Sequence, residues 1–304
     1  MPPQTLFHPT AQGKQLNIGP ECFGTMRSSI ELIKNPSALR TRIQEEGYLF
    51  LPGLLNRDEV IASRLEMASR LGQKGLLDPD RPVMDCVAKP GVQMSFCPDL
   101  ALDNEPMRRV LYQGPMMEFF RGFFGEEVLH FTYTWVRAVA PGLGTPPHYD
   151  SVYMGRGTHQ LFTAWTPMGD ITPEEGGLMV LENSHKNERL IQGYGQKDVD
   201  SYCLNKPYAE DYASGKKWLN GWLTADPVAI QKGLKGRWLT NQFRMGDVVI
   251  FWVFVVHGGM DNHTDRIRLS TDTRYQRASE PADQRWIGQD PPGHGPRGKL
   301  GRIC

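Results

Sequence analysis

The chain lacks several features that would assign it quickly. Its charges balance, with 34 Lys and Arg against 34 Asp and Glu and a formal net charge of zero. No basic patch is strong enough to make nucleic acid the expected partner. No apolar run is long enough to span a bilayer; Val248–Val256, the most continuous one, falls far short of the roughly 20 residues required. The first nineteen residues carry no apolar core of a secretory leader, so none is expected. Cysteine is scarce. The five (Cys22, Cys86, Cys97, Cys203 and Cys304) are odd in number and widely spaced, which predicts reduced thiols in a cytoplasmic protein rather than a disulfide framework or a zinc knuckle. No repeat of solenoid length is present. With 304 residues the chain can bury a sizeable core.

Two grammars divide it. Residues 1–30 read as a loose arm. Asn35-Pro36 is a helix start that should run to Glu46 and stop at Gly47. Tyr48–Leu51 reads as a buried strand. A second amphipathic helix is predicted over Asn56–Leu71, on Val60, Leu65, Ala68 and Leu71, and a Met- and Phe-rich helical region over 105–124. Beyond Gly125 strands take over, predicted at Val128–Ala138, His148–Tyr153, Gln160–Met168, Gly177–Leu181, Asp247–Val256 and Arg266–Gln276. Helices first and strands after predict a helical layer on an antiparallel sandwich. The expected organisation is one domain: arm and helical layer over 1–125, strand core over 126–278 with an aromatic-rich insertion at 186–245 that serves as a lid, and a solvated basic tail over 279–304.

The chemistry-bearing residues fall within the strand region. His148 and Asp150 follow Pro146-Pro147, and on a strand residues two apart share a face. His257 ends a buried run and precedes Gly258-Gly259, which leaves room for a close approach. Two imidazoles and a carboxylate are the ligand set of a facial triad on a non-haem ferrous ion. Taken alone, His-x-Asp is a weak signal. Along 266–275, Ile267, Leu269, Thr271, Thr273 and Tyr275 take one face and Arg266, Arg268, Ser270, Asp272 and Arg274 the other. That polar face is either exposed with ion pairs or lines a polar cavity, where Arg268 could hold a carboxylate.

Together these residues resemble the phytanoyl-CoA dioxygenase family of Fe(II)- and 2-oxoglutarate-dependent oxygenases. That family has H-x-D, then H-G-x-x-x-N followed by Ser or Thr, and an arginine eleven residues past the distal histidine. This chain has His257-Gly258-Gly259-Met260-Asp261-Asn262, Thr264 and Arg268. Trp165 in Ala164–Met168 matches a tryptophan beside the cosubstrate, and Gly176–His185 resembles the run G-x-L-x-x-x-P-G-S-H. The resemblance covers about residues 38–278. It departs at Gly259, often Ser, at Glu182-Asn183 in place of Pro-Gly, and at Gln93, aligned with a lysine that faces the cosubstrate.

What the resemblance implies is a double-stranded β-helix, a jelly-roll barrel flanked by helices. His148, Asp150 and His257 would bind Fe(II) and be the catalytic centre. Arg268 and Ser270 would hold the distal carboxylate of 2-oxoglutarate, with Trp165 and Gln93 beside it, and O2 as the second cosubstrate. Retention of Asp150 implies hydroxylation rather than halogenation. A small or medium organic substrate is expected, with Trp135 and Met179 as pocket candidates, Tyr149 as packing and His185 as structural. Two alternatives stay open: a cupin-type metal dioxygenase that uses no 2-oxoglutarate, and a non-catalytic binding or sensor protein on the same fold.

Overall fold

A computed structural model describes residues 7–304. Helix α1, Pro36–Glu46, starts where the Asn35 side chain accepts from the Ala38 N–H and ends at Gly47, whose φ of 80° suits glycine. Gly47 also has no room for a side chain: a Cβ would lie 2.5 Å from the His185 ring. Helix α2, Arg57–Gln73, is capped by Asn56 and buries Val60, Met67, Ala68 and Leu71. Leu65, expected on that face, is exposed, and Met67 takes its place in the core. The 105–124 region is two helices, α3 over Glu105–Tyr112 and α4 over Gly114–Phe124, broken at Gln113 ahead of Pro115.

Ten strands form two sheets. The six-stranded sheet runs in the order Tyr48–Leu51, Val248–Trp252, Phe162–Pro167, Arg268–Arg277 and Val128–His130, with Trp135–Val139 also paired to Arg268–Arg277. The four-stranded sheet runs His257–Gly259, Leu178–Leu181, Trp238–Thr240 and Phe23–Thr25. The expected barrel is not closed, because among the described residues no strand ladder joins the two sheets. Alternation sorts the side chains between two cores. Leu49, Leu51, Val248, Ile250, Phe162, Ala164, Leu269 and Tyr275 face α1–α4, where Phe120 stacks on Tyr275 at 4.0 Å. Phe50, Trp165, Val249 and Phe251 face the small sheet's Leu178, Val180 and Leu239. Each such buried side chain contributes about 1.5–3 kcal/mol.

Several segments differ from their expected form. His148–Tyr153 is not a strand: Asp150 is helical (φ −68°, ψ −27°) and opens a short helix, Ser151–Met154. Prolines 146 and 147 have no N–H for a ladder, and His148 makes only an isolated bridge to His257. Asp247–Val256 is interrupted after Trp252, and the chain crosses to the other sheet before His257–Gly259. Val128–Ala138 divides into Val128–His130 and Trp135–Val139.

The arm and the tail are structured parts of the fold. Thr10, Gln12 and Gly13 all donate to Asp261, and Phe23–Thr25 completes the small sheet. In the tail Trp286 is buried, and the Lys299 side chain, expected in solvent, is covered and paired with Asp200 at 2.7 Å. Leu300–Arg302 pairs in parallel with Ser201–Cys203. That pairing brings Cys203 and Cys304 into a disulfide across 101 residues, so the expectation that every thiol is reduced does not hold. Within 186–245, Trp238–Thr240 is a strand of the small sheet and Trp238 lies in the core. No helix among the described residues is long and apolar enough to cross a membrane.

Candidate active site

The two histidines are brought together by backbone. His148 N–H donates to His257 C=O at 3.0 Å and His257 N–H returns the bond at 3.1 Å, which sets the ring centroids 4.2 Å apart. Such an approach depends on glycine. A Cβ on Gly144 would lie 2.2 Å from Gly259 O, and one on Gly258 would lie 2.8 Å from Thr145 O. The close approach that the two glycines allow is made by the chain's own 144–147 segment.

Each ring is oriented through Nδ1. That of His148 faces Pro146 C=O at 2.8 Å and that of His257 faces Val255 C=O at 3.0 Å. A carbonyl only accepts, so both Nδ1 atoms carry hydrogen and both Nε2 atoms present lone pairs. Those Nε2 atoms lie 3.7 and 3.6 Å from Asp150 Oδ1, too far for hydrogen bonds but suited to sharing an ion. Asp150 Oδ2 is occupied, accepting from the Thr163 hydroxyl at 2.5 Å and the Arg274 guanidinium at 2.9 Å. Three buried donor atoms thus fall within 4.8 Å of one another. The set of two imidazole nitrogens and one free carboxylate oxygen fits a divalent iron ion.

Electrostatics agree with that geometry. Burial works to raise the Asp150 carboxyl, but the Arg274 guanidinium holds it well below the usual carboxylate range. Burial, reinforced by His148, pushes His257 down to about 4. The triad therefore stands ready with an ionised acid and an uncharged imidazole.

The polar face of Arg268–Arg277 points inward, not to solvent. Arg268 is 4 % exposed; its Nη1 donates to Ser270 Oγ at 3.0 Å and its Nε has no partner. No carboxylate pairs with it among the described residues, since the nearby Asp272 is engaged by Arg137 at 2.9 Å. Burial lowers Arg268 to about 10. A buried guanidinium without an anion is costly and calls for one. In front of it lies a narrow cavity lined by Trp165, Leu178, His257, Arg268 and Asp272, whose wall shares Arg137, Thr145 and His148 with a cavity of about 860 Å3.

That larger cavity has His148, Asp150, Arg137 and Arg274 in its wall, and Trp135 as expected. Trp218 and Trp222 line it from the 186–245 stretch, where Leu223 N–H bonds Pro147 C=O and the hydroxyls of Tyr153 and Tyr194 bond the carbonyls of Asn220 and Gly221. The tail adds Trp286, His294 and Lys299. A separate cavity of about 310 Å3 beside α1 and α4 contains none of the triad.

Other sequence candidates fall elsewhere. Gln93 is exposed and lines neither cavity near the triad; the backbone of its neighbour Met94 accepts from the Ala140 N–H. Beside Arg268, the second basic group lining the narrow cavity is Arg137, opposite Ser270 in the strand register. Met179 is buried in the core and lines neither cavity. Tyr149 packs as expected, its hydroxyl on Ser184 C=O, and His185 bonds Gln44 C=O away from the triad. Sequence reasoning misses Arg137, Thr163 and His294, and places Arg274 only on the polar face of its strand.

The phytanoyl-CoA dioxygenase family model matches residues 43–270. The chain belongs to that family. It is an oxygenase that uses iron and 2-oxoglutarate. It is 24% identical over 270 residues to the 1-deoxypentalenic acid 11-beta-hydroxylase of Streptomyces arenae, covering 85% of this chain and 87% of that one. Two solved structures share the fold. One is the epimerase SnoN in complex with Fe3+, alpha ketoglutarate and nogalamycin RO, with a TM-score of 0.55 and 23% identity over 85% of this chain and 93% of that one. The other is EctD from S. alaskensis with 2-oxoglutarate and 5-hydroxyectoine, with a TM-score of 0.56 and 17% identity over 98% and 94%.

Proposed function

We propose that this oxygenase hydroxylates a small or medium organic substrate held in the 860 Å3 cavity, with His148, Asp150 and His257 as the Fe(II) ligands and Arg268 as the anchor of 2-oxoglutarate. The observation that carries this reading is the buried, anion-less Arg268 guanidinium beside three converging donor atoms. It also disfavours a metal dioxygenase that uses no 2-oxoglutarate, which would have no need of an unpaired buried cation there.

Iron with 2-oxoglutarate and dioxygen supplies the oxidising power for C–H hydroxylation, with succinate and CO2 as the other products. The chain's contribution is position. Thr163 and Arg274 fix one oxygen of Asp150 and free the other for metal. Arg268 and Ser270 receive the distal carboxylate of the cosubstrate, while Trp165 closes the narrow cavity by packing edge-on against Phe243 at 4.7 Å. Trp218 and Trp222 add apolar wall to the larger cavity.

Anaerobic titration of the iron-loaded protein with 2-oxoglutarate tests this. Arg268→Ala should weaken cosubstrate binding by roughly 10²–10³-fold, the cost of truncating a buried charge pair. Iron content should stay near wild type. Equal affinity in wild type and variant would remove Arg268 from its assigned role.

A further inference from the structure

We propose that His294, oriented by Asp200, is a specificity-determining residue that accepts a hydrogen bond from a hydroxyl group on an uncharged, ring-bearing substrate. The inference rests on the reading of the 860 Å3 cavity as the substrate chamber.

The first argument is charge. The cavity wall carries Arg137, Arg274 and Lys299, and each already has its own carboxylate: Asp272, Asp150 and Asp200 respectively. Behind the wall, Arg156 and Arg285 are matched by Asp198, Asp200 and Asp283. An acid or phosphate entering this chamber would find, among the described residues, no Lys or Arg of its wall without a carboxylate partner and would have to break a buried pair. An uncharged ligand meets no such cost.

The second argument is the geometry of His294. Its Nδ1 lies 2.8 Å from Asp200 Oδ2, and Asp200 is 1 % exposed. A carboxylate accepts, so Nδ1 carries hydrogen and the lone pair sits on Nε2 in the neutral ring. Nε2 has no protein partner among the described residues. The ring is held between Trp286, with centroids 4.8 Å apart, and Tyr153, at 5.9 Å, while its side chain stays 40% exposed in the cavity wall. Tyr153 in turn meets the His148 ring edge-on at 5.5 Å. The acceptor therefore stands one aromatic ring away from a triad residue, and a molecule with a hydroxyl on Nε2 would reach along Tyr153 toward the triad.

The third argument is the remaining wall. Phe96, Tyr133, Trp135, Trp218, Trp222 and Trp286 present ring faces and edges on several sides. Such a surface favours a flat or fused-ring ligand over a flexible polar one.

Isothermal titration of the metal-free protein with 2-naphthol and with 2-methoxynaphthalene, matched in shape but differing in the donor hydrogen, tests the proposal. Wild type should prefer 2-naphthol by about five- to tenfold, the worth of one neutral hydrogen bond. His294→Phe should lose that preference while binding 2-methoxynaphthalene as wild type does, which also reports an intact chamber. His294→Gln, which keeps an acceptor, should recover part of it. A preference that survives in His294→Phe, no preference in wild type, or no saturable binding of either probe would overturn the proposal. Because iron is absent, none of these outcomes depends on the roles of the triad and Arg268, which the separate 2-oxoglutarate titration reads.

Discussion

Asp150 divides its work between two oxygens. Oδ1 faces the imidazoles and Oδ2 is pinned by Thr163 and Arg274. Arg274, also stacked over Trp135 at 4.1 Å, decides which oxygen is free. Arg274→Met should therefore lower iron affinity by roughly 10–100-fold, the usual effect of losing a partner that orients a metal ligand. Competition against a chromogenic chelator measures this, and unchanged affinity would show that Asp150 needs no such hold. Thr163→Val, which removes the lesser partner, should fall between the two. His148, Asp150, His257 and Arg268 were visible in sequence because their residue types and spacings are unusual together. Arg137 and Arg274 were not, because an arginine on an alternating strand reads the same whether it faces water or a cavity. Gln93 was misplaced for a related reason: matching it to a lysine position assumed a strand that the 93–97 segment does not form.

At the scale of elements, residue types located segments better than they defined their form. The ends of α1 and the start of α2 follow from Asn, Pro and Gly, whose preferences are local. The strand read through 247–256 ends at Trp252, since an apolar run carries no mark of the point where the chain leaves one sheet for the other. The pair 148 and 150 converges although it is not a strand. The cause is the cross-bridge to His257, a contact between residues more than a hundred apart. That bridge depends on contact of backbone with backbone at Gly144. Gly144→Ala should force the 142–148 segment away from His257–Gly259, costing several kcal/mol of stability and most of the iron affinity together. Thermal melting and metal titration report on the two. An alanine variant that melts and binds iron like wild type would show that the segment reaches His257 without needing that contact.

On the scale of the whole molecule, the least legible parts are those that enclose the cavity. The arm and tail look like solvated ends because they are rich in Gly, Pro and charge. Their order comes from partners far away in sequence: Asp261 for Thr10 to Gly13, Asp200 for Lys299, Ser201–Cys203 for Leu300–Arg302. Local pattern contains no trace of such pairings. The bond between Cys203 and Cys304 is the extreme case, and it turns the last third of the chain into a covalent ring. His257 and Arg268 lie inside that ring, while His148 and Asp150 lie outside it. Opening it with a reductant should release a constraint worth about 4–5 kcal/mol in the chain-entropy picture, a drop in melting temperature of roughly 10 °C. The sheets and their glycine-tight bridge do not depend on it, so iron affinity should persist. Melting and chelator competition with and without dithiothreitol compare the two effects, and parallel loss of both would show that the ring sustains the metal centre as well. If they separate, the thiol balance of the surroundings governs how firmly the chamber's outer door is latched, while the hearth inside stays lit.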